Sequence, residues 1–183
     1  PTIVSELCER KISIRVAALN LGFALSRCDE NARKPLQQII QAIVGFVLNL
    51  AIPLDLQLAW DLEEGTTLQI LEQPKSPVNR HPLSGEPTFF SSLHSQARHL
   101  QERRAAVFSD TGKSAIAATD AFYGDDLTPI APAALEHIDD VITRLTKSVA
   151  MEPGDVVLLD TYQVLHGRDV FEGEREHGVL WLK

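Results

Sequence analysis

His166 and Arg175 stand nine residues apart near the end of the chain. They lie in the stretch Pro153-Gly154-Asp155-Val156-Val157-Leu158-Leu159-Asp160-Thr161-Tyr162-Gln163-Val164-Leu165-His166-Gly167-Arg168, followed by Phe171-Glu172-Gly173-Glu174-Arg175. An imidazole is a ready ligand for a transition metal. A guanidinium is a planar, permanently charged fork that grips a carboxylate through two bonds, as an ammonium cannot. Taken singly, His166 reads as an ordinary core or surface residue, and Arg175 as half of a weak surface ion pair with Glu174 or Glu176. Their weight comes from the residues around them.

The elements needed to position this pair can be read in outline. Pro153-Gly154-Asp155 forms a turn that launches an apolar strand, and a second short strand delivers His166. A hairpin around Phe171 to Glu174 then returns Arg175 on the adjacent strand, so both side chains are expected to face one cavity. Farther upstream, the mixed apolar period of Glu6 to Leu25 predicts a helix running into a strand. Pro35 suits the first turn of a helix whose apolar positions are Leu36, Ile39, Ile40, Ile43, Val44 and Val47. A buried strand from Ile43 to Leu50 is the alternative, kept open by Gly45 and by β-branched Ile and Val, and Pro53 ends either element. Leu54, Leu56, Leu58 and Trp60 alternate, Glu63-Glu64-Gly65 turns, and Thr66, Leu68 and Ile70 alternate again, which predicts a hairpin. Gln96 to Phe108 reads as polar helix or loop. Pro132 opens a helix with Leu135, Ile138, Val141, Ile142 and Leu145 on one face, expected to pack outside the sheet with His137 turned away.

A chain of 183 residues is enough for one domain, and its net charge of −8 without a basic patch excludes a nucleic-acid surface. The longest apolar run, Ile39 to Ile52, is too short and too interrupted to span a bilayer, so no membrane partner is expected. Cys8 and Cys28 fit no metal spacing and read as reduced thiols; with no signal peptide at the start, a cytoplasmic location is expected. Opening on Pro1 rather than Met suggests residues missing upstream.

Three segments resemble the taurine dioxygenase-like (clavaminate synthase-like) family of iron(II)- and 2-oxoglutarate-dependent oxygenases. Its tail, W-x-x-GD-x-LL-x-DN-x-x-x-x-HGR-x-x-F-x-G-x-R, is matched in register by Gly154-Asp155, Leu158-Leu159-Asp160, His166-Gly167-Arg168, Phe171, Gly173 and Arg175. Met151 stands where the family has an aromatic residue and Thr161 where it has Asn. Arg80 to Phe90 resemble its H-P-x-T/S-G segment, and Phe122 to Ile130 its Y/F-G-D-G-x-P-I with one extra residue. Motifs cover Leu54 to Leu182. The resemblance implies an α+β fold built on a double-stranded β-helix, a jelly roll with flanking helices, here lacking its first strands. It implies a single domain over 1–183, N-terminally incomplete, with His166 as the distal metal ligand and Arg175 holding the co-substrate carboxylate. Val179 replaces a further Arg, which suggests a small-molecule substrate without an anionic group there.

The family's other two metal ligands arrive as H-x-D or H-x-E, and the single such motif here, His137-Ile138-Asp139, fails. Residues two apart on a helix point about 200° apart, so they cannot share a metal. His99 and Glu102 have better helical spacing but sit in a polar stretch, and His81, His94 and His177 have no acidic companion at a useful spacing. Pro1-Thr2-Ile3-Val4-Ser5 resembles the residues at or just after the family's G-G-x-T-x-x-V-D. The resemblance then gives Thr2 a hydroxyl role toward the co-substrate and puts the H-x-D/E strand ahead of residue 1. The alternative is a non-catalytic jelly-roll module, or a truncated pseudoenzyme without metal binding. Phe89, Phe90 and Tyr123 are candidates to line a pocket, though core burial is the commoner fate of such residues.

Overall fold

The computed structural model describes residues 2–51, 55–107, 119–167 and 174. Thr2 opens the first element: its hydroxyl accepts from the Ser5 amide at 3.2 Å and caps α1 (Ile3–Arg10), satisfying one of the N–H groups that a helix start leaves without a partner. Lys11, at φ 60°, breaks the helix, and β1 (Ile12–Asn20) follows directly. This is the expected helix running into a strand.

β1 is the spine of the larger sheet. β2 (Leu56–Trp60) and β3 (Thr67–Glu72) form the expected hairpin, and with β6 (Asp120–Tyr123) they give the order β2-β3-β1-β6, each neighbouring pair antiparallel. Leu58 faces Ile70 across the hairpin, and Ile14 faces Ala121 on the other side of the spine. Alternation sends Ile12 and Ile14 to one face, where Ala121 and Tyr123 join them. Onto that face pack α4 (Leu93–Gln96), α5 (Arg98–Val107) and α6 (Pro132–Leu145), through Leu93, Ala97, Leu100, Ala134, Leu135 and Ile138. The opposite face carries Ser13 and Arg15. Gln57 Nε2 donates to Ser13 Oγ at 3.0 Å, and Arg15 Nη1 donates to Gln69 Oε1 at 3.0 Å, so the buried polar groups there are partnered.

α2 (Gly22–Leu25) leads to α3 (Glu30–Ala51), which settles the helix-or-strand alternative as helix. It begins earlier than expected, because the polar run from Glu30 carries no apolar period to announce it. Pro35 therefore lies in the second turn, not the first, where it forgoes one backbone bond. Gln41 fastens α3 across the free edge of β2: its Nε2 donates to the Leu58 carbonyl at 3.1 Å and its Oε1 accepts from Trp60 Nε1 at 3.1 Å. A helix laid along an edge strand blocks further strand pairing there.

The β2–β3 turn is organised by Asp61, which accepts from the amides of Glu64, Gly65 and Thr67. Partial burial pushes its carboxyl upward, but these amide bonds together outweigh that and hold it below the usual carboxylate range. A depressed folded-state pKa contributes stability that is present above the unfolded pKa and lost as pH falls through the folded one. Asp61→Asn is thus expected to destabilise the protein at neutral pH and to flatten its loss of stability on acidification below about pH 4, the unperturbed Asp value. Urea unfolding at a series of pH values measures both.

The turn after β6 is a second close junction. Arg10 stacks over the Tyr123 ring at 3.6 Å, bonds Asp125 through Nε at 2.9 Å, and reaches Asp126 and Thr128 through Nη2. A Cβ on Gly124 would lie 2.6 Å from Pro74 Cβ and 3.3 Å from the Arg10 carbonyl oxygen. Gly124→Ala is expected to cost about 1–3 kcal/mol through overpacking, read as a lower urea midpoint at unchanged m-value.

β4 (Val78–Arg80) and β5 (Pro87–Phe89) pair as a separate two-stranded sheet. After α6 the expectations fail in part. Residues 146–167 contain no strand, although Val156–Leu159 were expected to form one, and Leu158 is 97% exposed. A strand exists only with a hydrogen-bonded neighbour, and no described strand pairs with this stretch. The described architecture is α+β with antiparallel sheets.

Candidate functional site

His166 lies near the end of that irregular stretch and is exposed. Six residues earlier, Asp160 starts a turn in which its carbonyl accepts from the amides of Gln163 and Val164, each at 3.0 Å. Its carboxylate also accepts from the Tyr162 amide, at 3.0 Å. The turn is docked on the β4–β5 hairpin. His81, buried at the hairpin's turn, brings Nε2 to 2.9 Å from Asp160 Oδ2. Tyr162 stacks on Phe90 with centroids 5.7 Å apart and meets His81 edge-on at 5.9 Å. Partial desolvation pulls the Asp160 carboxyl upward, and the bonds from His81 and the Tyr162 amide more than offset it, leaving the group below its ordinary range.

His81 therefore has an acidic companion after all. Asp160 is 79 residues away, and inspection of local spacing cannot find a partner at that distance. The available signal was that both belong to segments with the same family resemblance, Arg80 to Phe90 and the Leu-Leu-Asp of the tail.

Thr2 uses its hydroxyl oxygen as the α1 cap. Arg175 lies outside the described residues, as do His177 and Val179, and so does its expected convergence with His166. His137 is exposed on α6, while Asp139 accepts from Arg104 Nη1 at 3.2 Å, so the carboxylate of the rejected pair is already engaged. α6 buries Leu135 and Ile138 as expected, but Leu145 in its last turn is 69% exposed. His99 meets Glu136 at 2.7 Å across α5 and α6, rather than Glu102. His94 is held below the ordinary imidazole range, first by burial and then by Arg104. Of the aromatic candidates, Tyr123 is core and donates its hydroxyl to Glu6 at 2.8 Å; Phe89 packs against the core; Phe90 remains half exposed beside Tyr162.

Among the described residues no three His, Cys, Asp or Glu side chains gather closely enough to hold a metal ion. His166 alone does not make up the two imidazoles and one carboxylate that non-haem iron requires. Cys8 and Cys28 are free thiols, and no described helix is long and apolar enough to cross a membrane.

Against known proteins, a family model described as taurine catabolism dioxygenase TauD, TfdA family matches residues 35–181. The dapdiamide synthesis protein DdaC of Enterobacter agglomerans is 30% identical over 107 residues, covering 56% of this chain and 31% of that relative. The chain thus aligns with less than a third of that relative's length. No solved structure matches.

Proposed function

We infer the function from one premise: this chain belongs to the taurine catabolism dioxygenase TauD, TfdA family. Members of the family are iron(II)- and 2-oxoglutarate-dependent oxygenases. We propose that residues 1–183 form one jelly-roll domain of this kind, and that the protein hydroxylates or otherwise oxidises a small molecule with dioxygen as the oxidant, while 2-oxoglutarate is oxidatively decarboxylated to succinate and carbon dioxide. The observation that carries the reading is the family match extending through the whole His166 to Arg175 motif. The relative's part in dapdiamide synthesis agrees with a small-molecule substrate.

The residues of this chain have distinct tasks in the proposal. His166 is one metal donor. Arg175 holds the distal carboxylate of 2-oxoglutarate through its two-pronged guanidinium, and Thr2 assists from the start of α1. The hydroxyl of Thr2 can still donate a hydrogen bond while its oxygen caps the helix. Two further metal donors are needed, and the described residues do not supply them. The alternative is a non-catalytic jelly-roll module.

One experiment separates the two. Iron(II)-dependent release of succinate from 2-oxoglutarate is measured on this chain and on a polypeptide extended upstream in its own gene through an H-x-D or H-x-E segment. Turnover by the extended form, with little by the short one, is expected. Arg175→Lys in the active form is expected to raise the KM for 2-oxoglutarate by about tenfold or more, since a point charge replaces a bidentate one. Absence of turnover in both forms supports the non-catalytic module. Full turnover by the short chain would mean that residues 1–183 hold a second ligand set.

A further inference from the structure

We infer that His81 is a positioning residue for the segment that carries His166, acting as a tautomer-fixed clip on Asp160. The fixing is geometric. His81 Nδ1 accepts from the Ser84 amide at 3.0 Å and the Leu83 amide at 3.3 Å, so that nitrogen carries no proton. A neutral imidazole with an acceptor Nδ1 has its proton on Nε2, which is the atom 2.9 Å from Asp160 Oδ2. His81 itself is 5% exposed, and its own backbone is tied into the hairpin, with its amide bonded to the Glu86 carbonyl and its carbonyl to the Gly85 amide. The donor is therefore held rigidly, on an element that moves only with the hairpin.

Asp160 passes this anchoring along the chain. One carboxylate oxygen takes His81, the other takes the Tyr162 amide, and the Asp160 carbonyl closes the turn onto Gln163 and Val164. Tyr162 adds a second point of attachment by stacking on Phe90. Beyond Val164 only Leu165 separates the turn from His166. In a stretch with no strand pairing of its own, these contacts substitute for a sheet ladder in fixing where His166 stands. The clip's relevance to catalysis rests on the oxygenase reading; its existence does not.

The test uses the full chain without iron or 2-oxoglutarate. Long-range proton–nitrogen-15 spectra of the wild-type imidazoles are expected to show His81 as the neutral Nε2–H form; an Nδ1–H form, or an averaging pair, overturns the inference with no variant made. His81→Asn removes the donor at the outer ring position, while His81→Gln places an amide N–H near it. His81→Asn is expected to speed exchange of the Tyr162, Gln163 and Val164 amides by about tenfold or more, with α5 and α6 amides unchanged, and to shift the His166 ring resonances at fixed pH. His81→Gln is expected to restore most of both. Asp160→Asn approaches the same contact from the other side, and should match His81→Asn without adding to it in the double variant. Unchanged protection and unchanged His166 resonances in either single variant overturn the proposal, as does additive behaviour. An intact clip in a protein that never turns over 2-oxoglutarate would discard the oxygenase reading and leave this inference standing.

Discussion

His166→Ala is expected to lower iron(II) affinity by more than about 100-fold in the extended polypeptide. The scale follows from metal sites generally, where losing even a residue that merely supports a ligand costs about 10–100-fold, and His166 is proposed to bond the metal itself. His137→Ala and Asp139→Asn in the same protein are expected to leave the affinity unchanged. His137 is exposed on α6, and Asp139 is engaged by Arg104, so the one H-x-D of the sequence is built into a helix surface and an ion pair. Anaerobic iron(II) titration of the four proteins gives the comparison directly. A reversed result, with His137 or Asp139 required and His166 dispensable, would locate the metal on α6 and remove the oxygenase proposal.

The legible parts of this fold are those in which one local period repeats inside one element. The β2–β3 hairpin could be read because Leu56, Leu58 and Trp60, then Leu68 and Ile70, alternate on either side of a Gly-containing turn. α6 was readable because Pro132 marks its start and Leu135 and Ile138 repeat at helical spacing. What failed depended on partners. Val156–Leu159 has the composition of a strand, but composition specifies no neighbour, and no described strand pairs with it. His81 looked isolated because its carboxylate arrives from 79 residues away. The family resemblance identified both segments without revealing that they touch. Thr2 shows the opposite limit: the resemblance gave it a role toward a co-substrate, and the structure adds a helix cap that local sequence already permits.

Core deletion should separate the part of the chain that holds the fold from the part that only resembles it. Leu100→Ala is expected to cost about 2–5 kcal/mol, as removal of a fully buried leucine does when its surroundings cannot collapse. Leu100 is 0% exposed within the core cluster that α4, α5 and α6 form with β1 and β6. Leu158→Ser in the same chain is expected to change stability by no more than about 0.5 kcal/mol, because its side chain is 97% exposed and contributes little burial to lose. By sequence pattern Leu158, in an apolar run, looks better suited to a core than Leu100, in a polar stretch. Urea unfolding of both variants at equal m-value decides between them. If Leu158→Ser proves as costly as Leu100→Ala, Val156–Leu159 is buried in solution, and the stretch leading to His166 is held by a sheet rather than chiefly by the His81 contact. If the difference appears as expected, Leu158 contributes no burial, in keeping with an approach to His166 held by the hydrogen bonds of Asp160 and the Phe90–Tyr162 stack.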